Sequence, residues 1–185
     1  DHFSVGTWIS AYSSTYNNID FSLTPVPAVE YNFFPYSQST RRELCLLYRV
    51  GYNFVNYREE TIYEKVKEKL LSQALTVSFE LQEPWGTADI SLEASHYFPG
   101  FSKNRLQLHG GLYFRLYKGL SLGVNGGFSA IHDQLSLPRR EASETEILLR
   151  RKELETNYSY YGSIGFSYTF GSVYSNVVNP RFGGR

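Results

Sequence analysis

The sequence predicts an all-β fold, an antiparallel up-and-down transmembrane β-barrel with about eight strands in this chain. Three observations lead to this prediction. Successive segments alternate apolar and polar residues with a period of two. The connections between these segments alternate between short and long. No run of about 18 apolar residues is present, so no transmembrane helix is expected, whereas membrane-spanning strands are recognised by alternation.

Composition narrows the classes of function. The 185 residues are enough for one domain, and aromatic residues make up 17% of them. Lysine and arginine number 18, as do aspartate and glutamate, so the basic excess typical of nucleic-acid binders is missing. Cys45 is the single cysteine, which excludes an internal disulfide and a zinc-type cluster. No metal or cofactor site is therefore expected.

The first two strands have the weaker pattern. The first strand is expected near Phe3–Ser13, where alternation is less regular. The second is expected around Ala28–Phe33, with Val29 and its alternate neighbours on the apolar side. Pro25 and Pro27 are expected to weaken its start, because proline cannot donate a backbone hydrogen bond to a ladder.

Strands three to five alternate more regularly, and each places apolar side chains on one face. The apolar positions are Leu44, Leu46, Tyr48, Val50, Tyr52 and Phe54 in the third strand, Leu75, Val77, Phe79 and Leu81 in the fourth, and Ala88, Ile90, Leu92 and Ala94 in the fifth.

The sixth strand, Arg105–Tyr117, has the clearest alternation, and the seventh, Leu120–Ala130, repeats it. The eighth strand is expected over about Asn157–Phe170. Throughout, one face is aliphatic and aromatic while the other carries Glu, Arg, Asp, Gln, Ser and Gly. A soluble barrel or sandwich, such as a lipocalin-like fold, also alternates, but its enclosed face is apolar. Repetition over consecutive strands favours lipid outside and a polar interior.

Loop lengths predict an orientation, because membrane barrels have short periplasmic turns and longer outer loops. The turns at Glu83–Gly86 and Tyr117–Gly119 are expected in the periplasm, with Pro35–Arg42 as an unusually long turn on the same side. The outer loops are expected at Ser14–Asp20, Arg58–Leu71, Pro99–Asn104 and Leu137–Thr156. Within the two longest, Glu59–Leu71 and Ala142–Leu154 have a composition that suits either short helices or flexible charged loops.

The last predicted strand reads Ser163-Ile164-Gly165-Phe166-Ser167-Tyr168-Thr169-Phe170. It resembles the β-signal of outer-membrane proteins, in which a polar residue and a glycine precede two alternate aromatic residues. The resemblance implies that Ser163, Gly165, Tyr168 and Phe170 are recognised by barrel-assembly machinery during insertion. In the family this signal ends the chain, whereas here 171–185 follow. We therefore divide the chain into a barrel over 1–170 and a periplasmic tail over 171–185.

Further segments resemble a family of uncharacterised bacterial outer-membrane β-barrel proteins. They are Ala28–Asn32, Phe34–Ser37, Ser39–Arg42, Glu59–Tyr63, Ser95–Phe98, Tyr168–Ser172 and Asn176–Phe182. This resemblance implies a location in the bacterial outer membrane, in contact with its lipid. It also implies that the region is the C-terminal part of a longer polypeptide, whose upstream strands would enlarge the barrel. It implies no particular activity.

Charged residues in a barrel interior must pair or meet water. The predicted lumen set contains both signs: Glu30, Arg49, Glu80, Asp89, Glu93, Arg105, His109 and Arg115. We expect Glu93 to approach Arg105 or Gln107 across an antiparallel pair. Two interpretations stay open, a packed polar network that stabilises the interior and a selectivity filter along a solute path.

Three functions follow. The leading one is a non-enzymatic barrel, either structural or a conduit for small solutes. The second is a subunit of a larger outer-membrane assembly, which would contact a protein partner through the outer loops or the tail. The third is a hydrolase at the outer rim, with His96, His132 and Asp133 as candidates. Because neighbouring residues on a strand point to opposite faces, His132-Asp133 is a weak pair, and we predict no catalytic residue.

Overall fold

A computed structural model of the protein describes residues 2–98, 100–133, 135–136, 138–139 and 157–170. These residues form one eight-stranded antiparallel sheet whose strand order follows the chain. The all-β, up-and-down prediction is thereby confirmed. The elements are β1 (Phe3–Ser14), β2 (Ile19–Asn32), β3 (Arg42–Tyr57), β4 (Lys67–Glu83), β5 (Gly86–Tyr97), β6 (Asn104–Tyr117), β7 (Leu120–Ile131) and β8 (Asn157–Tyr168), with a 3₁₀ helix at Tyr36–Gln38.

The sheet is open. Each strand pairs only with its sequence neighbours, and in the described part of the chain β1 and β8 do not pair. The predicted closure into a barrel is therefore absent from this structure. Closure depends on strand number, tilt and stagger as well as on alternation, so the sequence pattern alone does not impose it. Both edge strands are exposed along nearly their full length.

Strand β2 is longer than predicted and begins before its prolines. Its ladder with β1 runs through Pro25 and Pro27, which lie opposite Ile9 and Thr7. Its ladder with β3 is interrupted between Leu23 and Ala28. Two prolines spaced by two residues direct their nitrogens to the same side, and neither has a hydrogen to donate. The prolines thus lie in the gap of one ladder instead of ending the strand.

Strand β4 begins at Lys67, so the helix considered for Glu59–Leu71 is wrong over its last residues. Lys67 to Leu71 pair with β3, from Asn56 to Tyr52. The helix-favouring composition of this segment is overridden because pairing with a neighbouring strand satisfies its backbone groups. The other helix considered, Ala142–Leu154, lies outside the described residues.

The two ends of the sheet carry different sets of connections. At one end, which we call the turn end, lie the short turns before Gly86 and Leu120 and the connection between β2 and β3. At Gly119, φ is +79° and an added Cβ would lie 2.2 Å from the carbonyl oxygen of Thr169, so this turn requires glycine. At the other end, which we call the loop end, lie 15–18, 58–66, 98–103 and the segment after β7.

The polar face of the sheet is concave. Arg49 of β3 forms an ion pair with Glu93 of β5, across the intervening strand β4. His109 of β6 lies 3.3 Å from the hydroxyl of Tyr161 of β8, across Gly127 of β7. A bend of the sheet toward this face favours such contacts between next-nearest strands. Exposure along β5 agrees with such a bend, because Ile90, Leu92 and Ala94 are exposed while the polar-face residues between them are half-buried.

The described residues contain almost no apolar core. Their buried hydrophobic residues are Ala28, Cys45, Tyr57 and Ile62. The aliphatic side chains of the convex face remain accessible instead, and these include Leu75, Leu92 and Leu108 on fully paired interior strands. Within the same residues, no helix combines the length and apolar character needed to cross a membrane.

Candidate functional site

The centre of the polar face is occupied by an ion pair between Arg49 and Glu93. Thr76 of β4 lies between them and donates a hydrogen bond of 3.2 Å to the Glu93 carboxylate. The same threonine hydroxyl accepts a bond of 3.4 Å from Arg49. The Nε atom of Arg49 is buried and has no hydrogen-bond partner. This arrangement links three strands and neutralises two of the charges on the concave face.

A second ion pair lies on the polar face toward the loop end. Arg105 at the start of β6 contacts Asp133 through two nitrogens, at 2.8 Å from Nη2 and 3.1 Å from Nε. The expected approach of Glu93 to Arg105 is replaced by this pair. Glu93 does lie opposite Gln107 in the ladder, but its carboxylate turns to Arg49. A bidentate pair of this kind fixes the segment that follows β7 against the start of β6.

Acidic residues gather on the polar face at the turn end. Glu43 lies directly opposite Glu80, which in turn lies directly opposite Asp89. All three line a cavity of about 330 Å³. The described residues provide no ion-pair partner for these three carboxylates. Like charges placed opposite one another in a sheet repel, so this group weakens the local pairing.

A further acidic residue, Glu30, approaches the same region from β2. Its carboxylate, that of Glu43 and the thiol of Cys45 place ligand atoms within 4.8 Å of one another. The thiol donates a hydrogen bond of 2.9 Å to Glu43. Carboxylate and thiolate groups can ligate divalent cations, so these are the described residues whose geometry could hold one. Sequence reasoning selected Glu30 but missed Glu43 and Cys45, whose proximity depends on strand register.

The last two predicted lumen residues lie apart from the central ion pair. His109 meets the hydroxyl of Tyr161 at 3.3 Å. Arg115 reaches the turn end, where its Nη1 lies 3.5 Å from the carbonyl oxygen of Pro84. All eight predicted residues therefore share the polar face by register, but they form separate contacts and not one network.

At the loop end, residues 58–66 form a compact segment that we call the cap. Thr61 and Ile62 within it are 0% and 1% exposed, the lowest values among the described side chains. Asn18 contacts the cap from the β1–β2 turn, where its Nδ2 donates to the carbonyl of Glu59 at 3.0 Å and its Oδ1 accepts from the Glu59 amide at 2.9 Å. The same Nδ2 lies 3.0 Å from the carbonyl oxygen of Ser136.

Two more connections reach the cap. Lys103, before β6, donates a bond of 2.6 Å to the hydroxyl of Tyr63. In the segment after β7, Pro138 pairs with Thr61 of the cap in an antiparallel β-bridge. The Arg139 amide of the same segment donates a hydrogen bond of 2.8 Å to the carbonyl of Glu60 in the cap. The cap, which is itself the β3–β4 connection, thus contacts the three other connections at this end.

The rim residues considered for catalysis do not form a catalytic pair. The His96 ring bonds the Gln73 amide at 2.6 Å and is nearly enclosed by Phe98 and Phe101. The His132 ring contacts Asn104 at 3.2 Å. Asp133 is occupied by Arg105. Neither histidine contacts a carboxylate among the described residues.

The β-signal residues divide between the two faces of β8. Ser163 donates a bond of 2.9 Å to Asn125 on the polar face, which Gly165 shares by parity. Tyr168 and Phe170 lie on the apolar face with ring centroids 6.0 Å apart. The tail predicted over 171–185 lies outside the described residues.

The chain matches no protein-family model, no curated protein and no solved structure. The family resemblance inferred from the sequence therefore stays a prediction, and function has to be argued from the geometry.

Proposed function

We propose that the chain is a β-barrel protein of the bacterial outer membrane with a non-enzymatic role, either structural or as a conduit for small solutes. One observation carries the proposal. The apolar face of the sheet is convex and exposed, while the charged residues in the middle of the strands, such as Arg49 and Glu93, lie on the concave face. The charged strand residues of the convex face, Arg42, Lys67, Lys69 and Glu83, lie near strand ends. Membrane barrels have this inside-out distribution.

The exposed apolar side chains are not confined to the sheet edges. On the fully paired strands β5 and β6, Ile90 is 49% exposed, Leu92 41% and Leu112 43%. Complete burial of a leucine or isoleucine stabilises a fold by about 1.5–3 kcal/mol, so a side chain left almost half exposed forgoes roughly half of that. Repeated over several strands, that loss is large compared with the usual stability of a domain. Contact with hydrocarbon removes it.

Aromatic residues lie toward both ends of the apolar face. Phe33 and Tyr168 lie at the turn end, and Tyr52, Phe54 and Tyr158 lie toward the loop end. Aliphatic residues such as Leu92 and Leu108 occupy the middle. Membrane barrels carry such aromatic girdles at the two lipid–water interfaces, with an aliphatic band between them.

The barrel requires closure of the sheet, because an open edge in lipid leaves backbone groups without partners. Strands β1 and β8 carry no charged residue and no proline, so neither edge has the usual protection against further pairing. The two strands run in opposite directions, as up-and-down closure requires. We propose that they pair with each other, or with upstream strands of a longer polypeptide. Barrel-assembly machinery would recognise β8 during insertion.

The contacts on the polar face favour the structural role. Arg49–Glu93 and Arg105–Asp133 are charge-neutral pairs that brace strands. The conduit is favoured by the cavity of about 330 Å³ at the turn end, where the carboxylates of Glu43, Glu80 and Asp89 outnumber the two lining arginines, Arg41 and Arg42, and would suit cationic solutes. A rim hydrolase would use a histidine paired with a carboxylate, and the described residues contain no such pair.

A labelling experiment on two neighbouring residues tests the membrane proposal. In a Cys45→Ala background, spin labels are placed singly at Leu92→Cys and Ser91→Cys, on opposite faces of β5. In lipid bilayers we expect the Leu92 label to collide with oxygen and the Ser91 label to be shielded from it. A protein that stays monomeric in water without amphiphile, with the Leu92 label packed inside, would refute the proposal.

A further inference from the structure

The cap, residues 58–66, contacts connections from both sides of the sheet at the loop end. It contacts the β1–β2 turn through Asn18, the β5–β6 connection through Lys103 and the segment after β7 through Pro138. Strands β1 and β7 lie six strands apart in the sheet order. One short segment can touch connections from both sides only if the sheet curls and the connections converge.

The convergence point lies over the concave side of the sheet. Curvature brings the strand ends together on that side and spreads them on the other. The cap also carries Arg58, Glu59, Glu60, Glu64 and Lys65, which suit water and not the hydrocarbon proposed for the convex face. We propose that the cap is a plug that closes the loop-end mouth of the barrel, leaving the turn end as the entrance to the polar interior. This inference rests on the proposed function.

The cap is folded by its own hydrogen bonds. The Thr61 amide donates to the carbonyl of Lys65 at 2.9 Å, and the Glu64 amide donates to the carbonyl of Thr61 at 2.8 Å. The Thr61 hydroxyl accepts a bond of 3.2 Å from the Lys65 amide. Glu64 adopts the left-handed conformation, with φ at 60°. We expect a turn braced in this way to move as one body.

Asn18 holds this body in place. It is 4% exposed, and both its side-chain amide and its backbone carbonyl bond the cap or the segment after β7. Its φ is 56°, a conformation that asparagine tolerates better than most residues. Glycine at this position would keep the backbone conformation and remove every side-chain bond. Asn18→Gly therefore removes the side-chain bonds to the cap and to the segment after β7 without changing the backbone conformation of the β1–β2 turn.

With the cap as a plug, the two ends of the polar face have different roles. The acidic cavity lined by Glu43, Glu80 and Asp89 lies at the turn end, away from the cap. Solutes that enter there meet a closed far end. A path through the protein requires the cap to be displaced.

Accessibility of a cysteine below the cap tests the plug. In the Cys45→Ala background, Ser72→Cys on the polar face of β4 is labelled with an anionic methanethiosulfonate in detergent micelles and from outside lipid vesicles. The rate is compared with that of a variant in which 59–65 is replaced by Gly-Ser-Gly. Tyr16→Cys, at a position 97% exposed in the loop-end turn, reports the molecules oriented with this end outward.

In vesicles, for molecules with the loop end outward, we expect labelling of Ser72→Cys to be at least ten times slower with the cap than without it. In micelles the reagent also enters at the turn end, so we expect a smaller difference there. Asn18→Gly should give an intermediate rate, and the exposed neighbour Asn17→Gly should match the parent. Equal rates with and without the cap in vesicles overturn the plug. Vesicle flotation reports membrane insertion separately: a protein that fails to float contradicts the proposed function, whereas a protein that floats and labels at equal rates contradicts the plug alone.

Discussion

Asn18 and Ser136 are 118 residues apart in sequence, yet the side-chain amide of the first donates to the carbonyl of the second at 3.0 Å. Asn18 follows the first strand and Ser136 follows the seventh, so this bond joins connections from nearly opposite edges of the sheet. It is a direct sign of the curl that closure requires, even though β1 and β8 do not pair here.

Closure of the sheet in lipid predicts that the backbone amides of the two edge strands become protected from hydrogen exchange. In bilayers, we expect the outward-directed amides of β1 and β8 to exchange with deuterium as slowly as those of β4 and β5, because each would gain a partner. Amide exchange measured by NMR in lipid nanodiscs checks this. If alternate amides of both edge strands exchanged rapidly in nanodiscs that protect β4, closure would be ruled out.

The central ion pair predicts a loss of stability when its charge balance is broken. Glu93→Gln would leave Arg49 without a carboxylate on the concave face, where both side chains are 30% exposed. We expect the free energy of unfolding to fall by about 1 kcal/mol, between the values for exposed and buried pairs. Urea titration in detergent measures it. The double variant with Arg49→Met isolates the coupling, and additive effects of the two changes would contradict it.

The same chemical change is expected to act in the opposite direction at Glu80. Its neighbours across both ladders are Glu43 and Asp89, so Glu80→Gln removes two repulsions and no ion pair. We predict a gain of about 0.5 kcal/mol in the free energy of unfolding. Glu93→Gln is the matched comparison under identical conditions. A loss at Glu80 would indicate that the carboxylate has a favourable partner in solution.

The alternation along the chain predicted the strands and their faces because the pleat imposes a period of two on every strand. The starts of β2 and β4 were predicted wrongly because the local composition suggested a different structure. Pro25 and Pro27 suggested a late start to β2, and the charges before Leu71 suggested a helix or a loop. In both places pairing with a neighbouring strand overrode the composition.

The contacts of the polar face were less predictable, because they depend on curvature and register. Arg49 reaches Glu93 across β4, and no sequence spacing encodes that distance. Asp133 replaced Glu93 as the partner of Arg105 because it lies two residues after the end of β7, next to the start of β6. The cap was predicted as an outer loop, but its contacts with Asn18 connect remote parts of the chain.

Gly127 provides a test of the curvature itself. An added Cβ would lie 2.7 Å from the Tyr161 ring, 2.8 Å from His109 and 3.1 Å from the carbonyl oxygen of Leu108. The side chains can shift, but the backbone carbonyl restricts the space, so Gly127→Ala should cost about 1–2 kcal/mol in the free energy of unfolding.

Gly123 is the matched control, since it lies on the same strand and face, where an added Cβ would meet only ordinary contacts at 3.9 Å. Gly123→Ala should therefore leave the stability nearly unchanged. The comparison is made by urea titration of both variants in the same detergent. Equal effects at the two glycines would show that β6 and β8 do not approach each other over Gly127, and the concave polar face would lose one of the two contacts that define it.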